Sequence, residues 1–243
     1  MDELHFMLSA DDTAIYAAYN SGDLDYIDTV PNDEISSLNG INPEFGILDN
    51  LGTYYIGFNI NDPIFDGKTE EQAAKMREAI SLLVDRQFIV ENVGQTGHIA
   101  VAESVQQDVA LLGINLEIKS EDWNVFLQDR KDGNFTIARE GWLADYNDPV
   151  NMLEIFTSDS GNNDMQLGKG TPVSSSPDWT AYNDLISQIR TTTDFAARVD
   201  LMHQAEDMLM NTWAVIPIYY YNDVYMQKSN VTGIYATVYG MKY

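Results

Sequence analysis

Arg139, Trp142 and Asp145 lie close together in the run Arg139-Glu140-Gly141-Trp142-Leu143-Ala144-Asp145-Tyr146-Asn147-Asp148-Pro149. A cation, an indole and a carboxylate around a glycine turn suit a zwitterion such as a short peptide. The anion meets an ammonium group, the cation meets a carboxylate, and the aromatic ring walls the space between them. Tyr146 and Asn147, in the same run, complete the candidate ligand set. Each residue also has a plain structural reading. Asp145 could cap or turn the chain ahead of Asn147-Asp148-Pro149. Arg139 could pair with Glu140 or another surface acid, and Trp142 could pack in the core.

Other chemistries find little support. The 243 residues contain no cysteine, which removes disulfides, thiolate metal sites and a cysteine nucleophile. His5, His98 and His203 are far apart and lack metal-ligand spacing, so neither metal nor cofactor is expected. Ser158, Ser160 and the serines at 174–176 lack a nucleophile-elbow context, and no phosphate or dinucleotide loop occurs. No catalytic residue is assigned. With 38 acids, some carboxylates must fall near each other by chance. A hydrolase would need two of them in a cleft, one with a raised pKa.

Thirty-eight acids against 13 bases give a formal charge of −25. That field repels nucleic acid and anionic membrane surfaces and otherwise serves solubility. No apolar run approaches the roughly 20 residues that span a bilayer, so no membrane insertion is expected. The first residues, from Met1 to His5, are acidic and lack the features of a signal peptide.

The elements around the run alternate in type. His5 to Leu8 reads as a short strand, Asp11 or Asp12 as the cap of a helix ending at Ser21-Gly22, and Leu24 to Val30 as a half-buried strand. Thr53 to Ile60 reads as a strong strand, and Thr69 to about Val93 as the longest helix. Asp85-Arg86 is expected to form an ion pair fixing that helix's end. A helix from His98 to Leu112 stops at Gly113, and a strand follows from Ile114 to Lys119. A helix opens at Glu121-Asp122-Trp123, and a strand from Phe135 to Ala138 leads into the candidate run. Residues 157–178 read as a polar loop. Helices Trp179–Arg190 and Phe195–Met210 follow, then a strand at Val215 to Tyr221 whose tyrosines alternate between core and surface. Alternating strands and helices argue for an α/β fold.

Several of these stretches resemble family-5 bacterial extracellular solute-binding proteins, the peptide receptors of ABC importers. The resemblance rests on Gly141 to Pro149, on Arg77-Glu78-Ala79 running to Asp85-Arg86, on Gly22-Asp23-Leu24-Asp25, and on Val215-Ile216-Pro217-Ile218-Tyr219-Tyr220-Tyr221. It implies a periplasmic-binding-protein type II lobe, a mixed β-sheet flanked by helices, and no enzymatic activity. It gives Asp145 the role of pairing with a peptide's α-amino group. It implies short peptides as ligands, an ABC permease as the parent's partner, and a location outside the membrane. The family's lipid-attachment cysteine is absent.

The resemblance also implies a shortened chain, with residues 1–243 as one compact unit. Residues 52–216 would be the C-terminal ligand lobe, and 1–51 and 217–243 would be flanking strands derived from the other lobe. The family's N-terminal half would be missing, and an internal deletion would lie near 94–98. Binding would then be weak or lost. Three alternatives stay open: a folded fragment or engineered scaffold with no ligand, a carboxylate hydrolase, and a family member carrying nickel chelates, haem or a sugar.

Overall fold

A computed structural model describes residues 3–93, 97–170 and 173–240, with the backbone alone at Asn92. Residues 94–96 of the expected internal joint lie outside the described residues. Contacts divide the chain into two compact units rather than one: Met1–Gly52 with Tyr220–Tyr243, and Thr53–Tyr219.

In the first unit, helix α1 (Asp12–Ser21) begins where Asp11 accepts the Ala14 N–H. Strand β1 is only Tyr26–Ile27, paired antiparallel with the end of β4, Tyr26 opposite Gln227. The longer strand expected at Leu24 to Val30 gives way instead to an unforeseen helix, α2 (Asn32–Leu38). His5 to Leu8 forms no strand, and Phe6 and Leu8 are 80% and 94% exposed. A two-sided apolar tetrapeptide has strand propensity, but a strand needs a ladder partner to exist.

Strands β2 (Phe45–Phe58) and β4 (Val215–Gln227) contribute residues to both units. Each is longer than its sequence pattern suggested. Gln227 N–H donates to Glu44 O at one end, and Phe58 N–H donates to Ala214 O at the other, so the two run antiparallel. Strand β3 (Ile137–Leu143) follows β2 in the order β4-β2-β3. Asn59 N–H donates to Thr136 O where β2 ends and β3 begins, which makes this pairing antiparallel too. The pairings are therefore antiparallel where a mixed sheet was expected.

In the second unit, α3 (Glu70–Leu83) starts with a complete capping box between Thr69 and Gln72. The single helix expected through Val93 breaks at Val84, whose ψ of 112° is extended. It resumes as a short turn, α4 (Arg86–Phe88), followed by a wider turn over Ile89–Val93. Asp85 and Arg86 fix this break without pairing with each other. Asp85 accepts the Phe88 N–H at 2.9 Å, while Arg86 donates to the carbonyls of Pro217 and Ser81.

Helix α5 (His98–Ala110) follows, and then residues 114–119 run on without joining a ladder, where a strand was expected. Helix α6 (Trp123–Asp132) is stopped by Gly133 at φ 74°. Gly57 has a different duty. A Cβ there would meet the Met165 sulfur at 2.2 Å, so a larger residue would have to displace that buried side chain.

Helix α7 (Val150–Glu154) leads into the loop at 157–178, which folds back so that its stretch from Asn163 to Met165, with Leu167, is buried while other described positions stay exposed. Asn163, fully buried, donates to the Thr157 and Leu167 carbonyls and accepts the Leu167 N–H. One side chain thus adds three bonds to the loop's own backbone turns. Helices α8 (Thr180–Thr191) and α9 (Phe195–Asn211) complete this unit's core. Trp179 and Tyr182 stack at 4.4 Å there, with their polar tips donating to Phe156 O and Leu153 O. No helix among the described residues is long and apolar enough to cross a membrane.

Candidate functional site

The turn after β3 is organised by a residue that the sequence reading passed over. Asn151, 2% exposed at the start of α7, accepts the Trp142 indole N–H at 3.0 Å and the Asp145 backbone N–H at 2.9 Å. It therefore fixes the ring orientation of Trp142 and the backbone at Asp145 together. Trp142 is partly buried and packs against the main core of this unit. Ala144 is buried between the two anchored positions.

The Asp145 carboxylate is exposed and meets no hydrogen-bond or ion-pair partner among the described residues. The turn-forming role is taken by Asp148 instead: it accepts the Val150 N–H at 3.0 Å and pairs with Arg198 of α9 at 2.9 Å. Burial raises the Asp148 carboxyl, but the bonds from Arg198 and Val150 outweigh it and leave the group below its ordinary value. Tyr146 donates to Glu154 Oε1 at 2.5 Å, and Glu154 also receives Arg190 at 2.8 Å. Those bonds likewise overcome burial and hold the Glu154 carboxyl low. Asn147 is exposed, with no hydrogen bond to the described residues.

Arg139 does not pair with Glu140. Alternation along β3 turns Glu140 inward, to 3% exposure, where Arg130 of α6 holds it. Asp164 shares the same guanidinium at 3.4 Å. Burial, helped by the Asp164 charge, pushes the Glu140 carboxyl up to about 8 despite Arg130. These are the two adjacent acids that a hydrolase would need, but at 3% and 5% exposure they are closed to substrate.

Arg139 sits among rings instead. Its guanidinium carbon is 5.4 Å from the Trp123 ring centre and 5.7 Å from that of Tyr54, and Nη2 lies 2.9 Å from His98 Nε2. Burial and the Arg139 charge lower the His98 pKa, consistent with a neutral ring accepting that bond. Tyr54 also stacks on Tyr219 at 4.7 Å, whereas Tyr220 is 79% exposed. Trp123, 53% exposed at the first position of α6, was legible as an aromatic opening a helix, but not as a neighbour of Arg139.

Arg139, Tyr54, His98 and Trp123 border a cavity of about 260 Å³. The structure thus separates the expected set into two clusters. Trp142, Asp145 and Tyr146 share the anchored turn, while Arg139 belongs to the aromatic cavity. Among the described residues, no group of three or more histidines and acids could hold a metal ion.

The chain matches the model of the bacterial extracellular solute-binding proteins, family 5 middle region, in two stretches, residues 1–100 and 94–164. It is similar to the dipeptide-binding protein DppE of Bacillus subtilis, 25% identical over 300 aligned residues, covering 96% of this chain and 52% of that protein. The oligopeptide-binding protein OppA of the same organism is 33% identical over 138 residues, 56% of this chain and 24% of that protein. A dipeptide-binding protein from Pseudoalteromonas sp. SM9913, solved with Met-Leu, superposes with a TM-score of 0.75 at 17% identity, covering 97% of this chain and 56% of that one. The chain spans about half the length of DppE, and the 300 aligned positions exceed its own 243 residues. DppE therefore carries residues inside the aligned region that have no counterpart here. The fold is that of the periplasmic binding proteins, and the chain belongs to the bacterial extracellular solute-binding proteins of family 5.

Proposed function

We propose that this chain is a peptide-binding part of a family-5 receptor, non-enzymatic, working outside the membrane as part of an ABC importer. The observation that carries the reading is the Asp145 carboxylate, held out unpaired on a backbone that Asn151 fixes. An anion on a fixed mount, beside an oriented indole, is prepared for an ammonium group and spends little entropy on binding it. DppE and OppA are named for dipeptide and oligopeptide binding, which agrees with an amine-bearing ligand. In this reading Asp145 takes the peptide's amino end, Trp142 walls the first side chain, and Tyr146 and Asn147 line the approach. Arg139 offers the cation for a carboxyl end.

Residues 52–216 would be the ligand lobe, with an internal segment of the family missing near 94–98. The split of the family match at 94–100 supports that placement. A single lobe supplies part of the contacts, so affinity would be weak. Calorimetry with a mixture of di- to pentapeptides tests the reading. Heat at millimolar peptide that vanishes in Asp145→Ala supports it; equal heat in the wild type and the variant, or none in either, overturns it.

A further inference from the structure

The cavity beside Arg139 is bordered in an unusual way. From one side it is lined by the consecutive residues 116–121, and from another by the consecutive residues 137–139 of β3. Side chains of an extended segment alternate between faces, so an unbroken run along a cavity means that a backbone edge faces it. The third side is different. Val101, Ala102 and Val105 of α5 line it at helical spacing and supply an apolar floor.

Among the described residues neither backbone edge carries a second strand, although on the β3 edge the Arg139 carbonyl accepts Arg130 Nη1 at 3.2 Å. β3 has β2 as a neighbour on one side only. Residues 114–119 alternate between half-buried Ile114, Leu116 and Ile118 and exposed Asn115, Glu117 and Lys119. That is the burial pattern of a strand with one face on a core. Yet among the described residues, the hydrogen bond to the backbone between Asn115 and Ser120 is that of Gln106 Nε2 to Leu116 O, at 2.6 Å. A strand-patterned segment without a ladder and an edge strand without a second neighbour face each other across an apolar floor.

We propose that this cavity is a strand-receiving slot. An extended segment of another chain, about five to six residues long and apolar at alternate positions, enters between residues 116–121 and β3. It pairs through its backbone and lays its apolar side chains on α5. DppE's internal residues without counterpart here fit the occupant, because the family match divides at 94–100, where α5 begins. The ligand is recognised along its backbone and not by its ends, so this inference stands apart from the reading of Asp145.

The test uses ten-residue peptides tiled across that internal stretch of DppE, acetylated and amidated so that they carry no terminal charges. Each is titrated against the full chain with amide hydrogen exchange as the readout. One tile, and not its scrambled version, should bind and slow exchange at least tenfold in both 116–120 and 137–139. Glu117→Pro and Ile118→Pro supply the control. Consecutive N–H groups of an extended segment point to opposite edges, so one of the two must delete a slot-facing donor and weaken the tile at least tenfold. Both lie outside any ladder, and far-ultraviolet dichroism checks that each variant is folded. The proposal is overturned if no tile slows both edges or if neither proline variant weakens the tile. It is also overturned if unblocked dipeptides slow the same amides equally, which would make the cavity a side-chain pocket.

Discussion

At the far end of β3 the chain enters a turn in which Asn151 accepts from both Trp142 and Asp145, and Glu154 and Asp148 draw in Arg190 and Arg198. At the near end, residues 137–139 border a cavity and have a strand on one side only. The far end is over-determined by side chains from α7, α8 and α9, and it leaves one carboxylate, Asp145, without a partner. The near end is less determined: among the described residues it leaves a backbone edge with no second strand, bonded only at the Arg139 carbonyl by Arg130. Within one short strand, then, stability and availability are separated. Where the scaffold fixes everything else, a single free group can be presented; where it fixes too little, the free feature is the strand itself.

Removing the anchor should disturb the far end most. Asn151→Ala leaves the Trp142 indole N–H without its acceptor in a partly buried site and frees the Asp145 backbone. A loss of about 2–3 kcal/mol is expected, as for a buried polar pair broken on one side. The denaturant midpoint measures it, and a shift in Trp142 fluorescence shows that the turn has moved. If stability were unchanged, the contrast between the two ends of β3 would fail.

A pH-dependent effect tests the buried layer beneath the strand. Glu140 binds its proton more tightly folded than unfolded, its pKa rising from 4.5 to about 8. The folded state therefore holds more protons than the unfolded state between those values, and stability must fall as pH rises through that window. A tenfold change in proton affinity corresponds to about 1.4 kcal/mol. The melting temperature should drop between pH 5 and pH 9, and the drop should be shallower in Glu140→Gln. Equal slopes would place the titration elsewhere. Next in size, Arg198→Ala should cost about 1 kcal/mol, since its pair with Asp148 is only partly buried and Asp148 keeps its bond to Val150.

Much of this arrangement was legible, for reasons that differ by residue. Helix α3 could be read because its signals are local: the capping box lies within Thr69 to Gln72, and its apolar positions repeat at helical spacing. The motif from Gly141 to Pro149 could be read because its chemistry is contiguous. Asn151 could have been found, since it stands two residues after Pro149 at the opening of a helix. Arg190 and Arg198 could not have been tied to the turn, because they meet it through packing of helices distant in sequence. Residues 114–119 show the opposite failure. Their alternation is that of a strand, but a strand is a relation between two segments, and among the described residues no ladder partner stands beside them. His5 to Leu8 was misread for the same reason.

Asp145→Ala should have the smallest effect on stability and is the most discriminating variant for that reason. The carboxylate is exposed, caps no helix and meets no partner among the described residues, so its removal should change stability by less than about 0.5 kcal/mol. Fixing the turn ahead of α7 would have been a structural reason to hold an aspartate at this position, but Asp148 does that work. A group that costs nothing to remove, on a backbone that costs much to disturb, is what a binding residue on a rigid mount requires. If Asp145→Ala instead lowered the denaturant midpoint as far as Asn151→Ala does, Asp145 would be part of the anchor. The far end of β3 would then have no free group to offer a ligand. If the two variants separate as expected, the same pair tested against peptides assigns the turn its division of labour, with Asn151 holding and Asp145 meeting the amine.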